Sequence, residues 1–365
     1  MIKNRQDKAV HLSEIQIAFR NFKKKRLAFI CVWILGLLYF SAIFADFLSP
    51  YSFKNENRNY SYSPPAQIQW SNHGAFVYGR QLTFNENHQR IYQDQKNKQY
   101  PLRFLIKGDQ YNFLGLIPCS YHLFGVEDPG RLYLLGADSR GRDLFSRLLY
   151  GGRISLSIGL IGVFISFTLG LLVGGIAGYY GGRVDNVLMR LCEMFMMVPG
   201  FYLLLAFRAA VPDNFNSVQI YFAIVVILSF IGWAGLARII RGMCLSLKER
   251  EYVLAAKSFG LSDIRIILTH ILPHTLSYSI AAIMLSIPGY ILGESALSLL
   301  GLGIQDPYAS WGNLLSDAMS IMRIYFAPWI LWPAFFIFLT VICFNIVGDE
   351  LRDCLDPLLK SEVNK

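Results

Sequence analysis

His270 and His274 stand four residues apart, a spacing that puts two imidazoles on one helix face where a metal could bridge them. Pro273 lies between them and no third ligand is near, so coincidence is the better reading and no metal site is expected. Other arrangements that carry chemistry do not occur. There is no G-x-x-x-x-G-K-[ST] loop to cradle nucleotide phosphates, no H-E-x-x-H and no G-x-S-x-G. The six cysteines, Cys31, Cys119, Cys192, Cys244, Cys343 and Cys354, include no C-x-x-C pair. No catalytic residue and no cofactor bound by this chain are therefore expected.

The remaining polar groups of interest are ionisable residues inside apolar runs: Glu193, Arg208 and Glu294. Each costs about 2.5–3.5 kcal/mol near a bilayer centre, so Glu193 and Glu294 are candidates for a pathway or a structural polar contact. A proton-coupled carrier would often show a spaced series of carboxylates. None is present, and the energy source is expected in another chain.

The elements around these residues are membrane spans. The chain has 365 residues, 54% hydrophobic and 16% charged, against about 25% charged in soluble domains. Six runs reach the roughly 20 apolar residues that cross a bilayer: about 27–48, 154–180, 187–210, 218–237, 275–300 and 327–347. The first is too long for a signal-peptide core and has no small-residue cleavage site, so it reads as a retained anchor. Before it, residues 1–26 carry a cluster of Lys and Arg that the positive-inside rule keeps in the cytoplasm, and six spans return the tail 349–365 to that side. A multi-pass membrane protein is expected, its +9 net charge serving topology and anionic headgroups rather than nucleic acid.

In the second span Gly170, Gly174 and Gly178 recur at four-residue spacing, which lets another helix approach closely; a substrate-lining face is the alternative. Residues 49–137 are too polar to span and too aromatic for a plain linker, so a small outward domain is expected, a loosely ordered loop being the alternative. YPLRFLI and YNFLGLI read as strands about a turn at Gly108-Asp109, and Gly74 to Phe84 as a further strand pair. Cys119 is the one cysteine in this segment, so no disulfide forms within it.

Between the fourth and fifth spans lies a polar, helix-prone stretch, EYVLAAKSFGLSDIRIILTHILP, residues 251–273. Ser246 to Phe259 favours helix, Gly260 is placed to stop it, and Ser262 or Asp263 can cap a second helix that ends near Pro273. Tyr252, Val253, Ala256 and Phe259 predict one apolar stripe, with Lys248, Arg250, Lys257 and Arg265 supplying positive charge. On these grounds alone the stretch suits either a partner protein in the water or the headgroups.

This stretch resembles the EAA loop of ABC-importer permeases: two alanines, a glycine four residues on, and a later Leu-Pro pair, here Ala255, Ala256, Gly260, Leu272 and Pro273. Leu254 stands where the motif's name calls for Glu. Glu251-Tyr252-Val253 and His270-Ile271-Leu272-Pro273 are similar to the dipeptide/oligopeptide branch. DSRGRDLFSRLLYGGRISL at 138–156 and the run from Glu294 through Trp311-Gly312 to Leu355-Asp356-Pro357 resemble the C-type permease of that branch. The segment 49–137 departs from it by its length.

The resemblance implies an all-α membrane protein of the type I ABC importer permease fold, with six transmembrane helices, an enlarged extracytoplasmic insertion (part β) between helices 1 and 2, and a permease core over 138–348. It implies import of dipeptides or oligopeptides; nickel or another small solute on the same machinery, and more distantly an ion-coupled carrier or channel, are the alternatives. The implied partners are a second permease, two cytoplasmic ATPases that bind ATP and Mg, an external peptide-binding protein and the lipid bilayer. Coupling is assigned to Glu251, Tyr252, Ala255, Ala256, Gly260, Leu272 and Pro273 within the loop 241–273. The small Ala255 and Ala256 imply close seating in the ATPase, so a Glu at Ala256 is expected to insert normally but abolish uptake.

Overall fold

A computed structural model describes residues 20–355 apart from 73, 85, 87–89, 114 and 213. The expected cytoplasmic tail lies mostly outside the described residues. The long helices are α1 Arg26–Ile43, α2 Leu144–Tyr180, α3 Gly182–Met197, α4 Gly200–Ala209, α5 Ser217–Leu247, α6 Glu251–Ser258, α7 Leu272–Leu299 and α8 Trp332–Leu355. Among the described residues, five stretches are long and apolar enough to cross a bilayer unbroken: α1, α2, α5, residues 263–299 ending in α7, and residues 328–355 containing α8.

The third expected span, 187–210, is not one helix. Its two halves, α3 and α4, meet at 89°. Val198 is extended (ψ 127°), as the residue before a proline prefers, and Pro199 cannot donate into the preceding turn. Only as a bent pair do α3 and α4 make a sixth span.

The core is α2 laid against its neighbours through small residues. A Cβ on Gly178 would sit 2.6 Å from Cys244 Cβ and 2.7 Å from the Arg241 carbonyl, and one on Gly174 would strike the Ala237 carbonyl of α5. On α2's other side Gly159 meets Ile287 and Gly162 meets Tyr290 of α7. α1 and α8 close the bundle through Cys31, Leu35, Leu38, Cys343 and Phe344.

Residues 49–137 form a strand-rich unit with strands β1 Gln69–Ser71, β2 Gly74–Phe84, β3 Arg90–Pro101, β4 Arg103–Phe113 and β5 Ile117–Gly125. β1-β2-β3 make one antiparallel sheet and β4-β5 a separate hairpin. Val77, Val126 and Leu132 form the core between them. Two expectations fail here. Gly74 to Phe84 is one strand, and β4 runs through Gly108-Asp109 as a bulge rather than turning there. The bulge holds because its polar groups are used: Asp109 Oδ2 accepts from Ser52 N at 2.9 Å, and His122 Nε2 lies 3.0 Å from the Asp109 carbonyl. Gly108 makes room for that imidazole, since a Cβ would lie 2.7 Å from His122 Cδ2. The reversal falls instead near Gly115 (φ +75°).

Candidate functional site

The polar stretch between α5 and α7 is a helix, a turn and a second helical run. α5 ends at Leu247, and α6 starts afresh after Arg250, which is extended. At its far end Leu261 N donates to the Ala256 carbonyl and Gly260 N to the Lys257 carbonyl, with Gly260 at φ +78°. These are the paired bonds of a Schellman ending, in which a left-handed glycine lets the chain turn away. Ser262 then occupies the cap position of Asp263–Ile266 with no side-chain capping bond. Asp263 Oδ1 instead accepts from Tyr179 Oη of α2 at 2.7 Å, which anchors the second run to the bundle.

Pro273 does not end that run. A π turn over Ile267–Ile271, closed by Leu272 N donating to the Ile267 carbonyl, carries Asp263–Ile266 into α7. The wider turn and the first-turn position both suit a residue that lacks an N–H. Leu272 is buried and packs with Ile240 and Ile267, while Pro273 is exposed.

The expected apolar stripe divides between two faces of α6. Val253 and Ala256 point inward with Cys244, Ile266 and Ile271. Glu251, Tyr252, Leu254, Ala255 and Phe259 are exposed, Phe259 to 85%. Tyr252 packs on His274 with ring centroids 5.2 Å apart, so that histidine serves a ring contact; His270 is half-buried in the π turn. Hence Ala256 seats α6 on its own chain, and a Glu there strikes folding before it strikes docking. The outward surface carries one acid, Glu251, a helical turn before the exposed Leu254.

A second feature is a groove of about 570 Å³ between α2, α5 and α7. Its wall is mostly apolar, with Ser166, Tyr278, Ser286 and Tyr290 supplying hydroxyls. Gly232 permits the close approach of Tyr290 Oη and Ser166 Oγ. Gly170, Gly174 and Gly178 stand behind it in the α2–α5 contact, not in its lining.

Glu294 lies outside the groove too. Fully buried, it accepts from Ser155 Oγ at 3.0 Å and Ser298 Oγ at 2.6 Å. Ser155 Oγ in turn accepts from Trp311 N, and Ser298 Oγ from Ile304 N. Glu294 thus joins α2, α7 and the loop after α7. Glu193 is half-exposed on α3 and pairs with Arg190 at 3.0 Å. Beside it Arg241 grips Asp185, with Nε at 2.9 Å from Oδ1, linking α5 to α3. Arg208 is buried and donates to the carbonyls of Leu302 and Val211.

The end of the bundle bearing the strand-rich unit is closed by a charged clasp. Arg142 Nε donates to Asp138 Oδ2 at 2.7 Å and its Nη1 to Asp306 Oδ1 at 2.9 Å. Arg147, 2% exposed, reaches Asp306 Oδ1 at 3.1 Å and the carbonyls of Phe53 and Pro307. Burial alone pushes the Asp306 carboxyl up, but Arg142, Arg147 and Arg140 outweigh it and hold it below the usual carboxylate range. Asp143 caps α2 by accepting from Ser146 N at 2.8 Å and Ser146 Oγ at 2.6 Å. Burial outweighs those bonds and pushes its carboxyl up to about 7. Gly141 (φ +73°) is pressed on the Asn57 carbonyl, where no Cβ fits. The run DSRGRD signalled this cluster as a motif; its partner Asp306, some 160 residues away, carried no local signal.

Comparison with known proteins decides the family. Residues 170–361 match the model described as binding-protein-dependent transport system inner membrane component, which covers more than half of the chain. The chain belongs to that family. Residues 13–65 match the N-terminal transmembrane domain of oligopeptide transport permease C. Similar relatives include the dipeptide transport system permease protein of Bacillus subtilis, 33% identical over 98% of this chain and 91% of that one. The oligopeptide transport system permease protein of Haemophilus influenzae is 42% identical over 70% of this chain and 76% of its own. A glutathione transport system permease protein of Pectobacterium atrosepticum is 41% identical over 64% and 76% respectively. As a binding-protein-dependent transport component, the chain is a membrane permease of the type I ABC importer fold. α6, the groove and the clasp are features of such a subunit.

Proposed function

We propose that this chain is one of two permease subunits of an ATP-driven importer of dipeptides or oligopeptides. The observation that carries the reading is α6: a short helix held at a fixed angle by Gly260 and Asp263, presenting Tyr252, Leu254, Ala255 and Phe259 outward. An aromatic anchor on a rigid element is what a docking contact uses. The names of the relatives supply the substrate class, glutathione being itself a peptide.

In this mechanism two ATPases in the cytoplasm, holding ATP and Mg, receive α6 and the exposed start of the run to α7. Their closure moves α6 with α5 and α7, because Val253 and Ala256 pack on Cys244 of α5 and on Ile266 and Ile271 of the run that continues into α7. Those two helices flank the groove, which faces the second permease and forms half of the translocation pathway. Tyr278, Ser286 and Tyr290 offer hydroxyls to peptide amides, whose polar groups are the same whatever the side chains. A peptide-binding protein delivers cargo at the clasp end, and both termini lie in the cytoplasm. Glu251 supplies the acid at the coupling contact, in place of the Glu that Leu254 replaces.

The test is uptake of labelled dipeptide, a longer peptide, glutathione and nickel by the four-subunit complex in liposomes with its binding protein. ATP-dependent accumulation of a peptide supports the reading; nickel uptake with no peptide uptake overturns the substrate class. ATP-independent accumulation overturns the mechanism.

A further inference from the structure

The hairpin β4-β5 hangs from the clasp end of the bundle towards α1, and its height is set by α2. At its open end Phe124 packs on Phe145, in the first turn of α2, with centroids 6.0 Å apart. At its closed end Phe113 packs on Phe44, the residue that ends α1, at 5.8 Å. Phe44 is level with Arg153, since Arg153 donates to the Ala42 carbonyl at 3.0 Å and pairs with Asp46 at 2.8 Å. Phe145 and Arg153 are eight residues apart on one helix, about 12 Å along its axis. The hairpin therefore descends by about that much, and its tip arrives where α1 leaves the apolar zone.

The tip is apolar and bare. Leu116 is 84% exposed and Ile117 62%. A soluble unit gains nothing from large apolar side chains at a hairpin end, whereas a membrane surface takes them up. The surface below is continuous with it: Phe44 packs on Phe40 at 4.5 Å, and Trp33, Leu37, Phe40 and Phe44 recur along one helix face. The opposite face of α1 packs on α2 and α8, and α1 lines no part of the groove.

We propose that the tip of β4-β5 is a membrane anchor, with Phe113, Leu116 and Ile117 seated in the headgroup and acyl boundary of the leaflet beside the end of α1. The occupant is phospholipid, and the strand-rich unit is held against the bilayer at two points, the clasp and this tip. The inference rests on α1 spanning the membrane, and not on the identity of the cargo.

Environment-sensitive fluorophores on single cysteines test it in the assembled importer, reconstituted in phosphatidylcholine and phosphatidylglycerol vesicles. Cys119→Ser removes the one cysteine that is not buried. Leu37→Cys reports the bilayer, Phe104→Cys the far end of the hairpin and Leu116→Cys the tip. Blue-shifted emission at Leu116, quenched by shallow nitroxide lipids as strongly as at Leu37 and shielded from iodide relative to Phe104, is the expected result. Quenching at Leu37 without quenching at Leu116 overturns the anchor, including the case in which iodide is also excluded because a protein covers the tip. No lipid quenching at either position overturns the placement of α1, and the anchor with it.

Discussion

Ala255 and Ala256 are adjacent in the motif and opposite in role, because 100° of helix separates them and only one faces the bundle. Ala256→Glu forces a carboxylate into the contact with Cys244, Ile266 and Ile271. Burial of an unpaired charge is prohibitive, so this variant is expected to lower the yield of assembled protein in detergent. Ala255→Glu and Phe259→Asp alter exposed positions and leave the yield unchanged. Loss of an aromatic anchor costs about 2 kcal/mol or more, so Phe259→Asp should weaken ATPase co-purification by roughly thirty-fold. Normal recovery of ATPase with that variant would remove α6 from the coupling contact. Asp143 makes a second prediction. Its carboxyl is raised to about 7 in the folded chain, so the folded state binds the proton more readily than the unfolded one. Stability is therefore highest below the ordinary carboxylate range and is lost as pH rises through about 7, by at most about 1.4 kcal/mol per pH unit. Asp143→Asn keeps an acceptor for Ser146 and carries no charge. Thermal unfolding from pH 5 to 8 should slope downward with pH for the parent and flatten for the variant.

Helices α2 and α5 approach through glycine so closely that backbone meets side chain. Gly178→Leu places a branched side chain where Cys244 Cβ and the Arg241 carbonyl already stand, and overpacking of this kind costs about 1–3 kcal/mol or more. The variant should be recovered in lower yield, and crosslinking between cysteines set in α2 and α5 should fall. Unchanged crosslinking would mean the helices separate in the membrane. The four-residue glycine spacing made this contact legible in advance. Other elements were not. Extended chain at 74–84 and 100–106 is signalled locally, whereas β3 is not, and Gly108-Asp109, a good turn pair, is held in a bulge by Ser52 and His122 from outside the strand. The third span looked continuous in hydropathy; Val198-Pro199 divides it by 89°.

The molecule as a whole is tied at both ends of its bundle by charge. At the α6 end Arg241 holds Asp185; at the other, Arg142 and Arg147 bind the strand-rich unit and the loop after α7 into one body through Asp306. Asp306 is itself exposed, so those pairs are partly screened; Arg147 also pairs with the buried Asp138 at 3.5 Å, and removing one partner of a buried pair costs about 3–5 kcal/mol. Arg147→Met should loosen residues 301–326 and speed trypsin cleavage after Arg323. Cleavage at the parental rate would show that the clasp contributes little to holding that loop.

Five of the six expected spans and the stop at Gly260 could be read from the chain alone, because each depends on local composition or on one residue's backbone freedom. A helix that crosses hydrocarbon must be long and apolar, so hydropathy counts such spans. Which face of α6 turns inward, where the hairpin reverses, and that Asp306 completes the clasp were decided by tertiary structure. A periodicity describes an element about its own axis and is silent about what stands opposite. A pair 160 residues apart exists only once α2 and the loop after α7 have met.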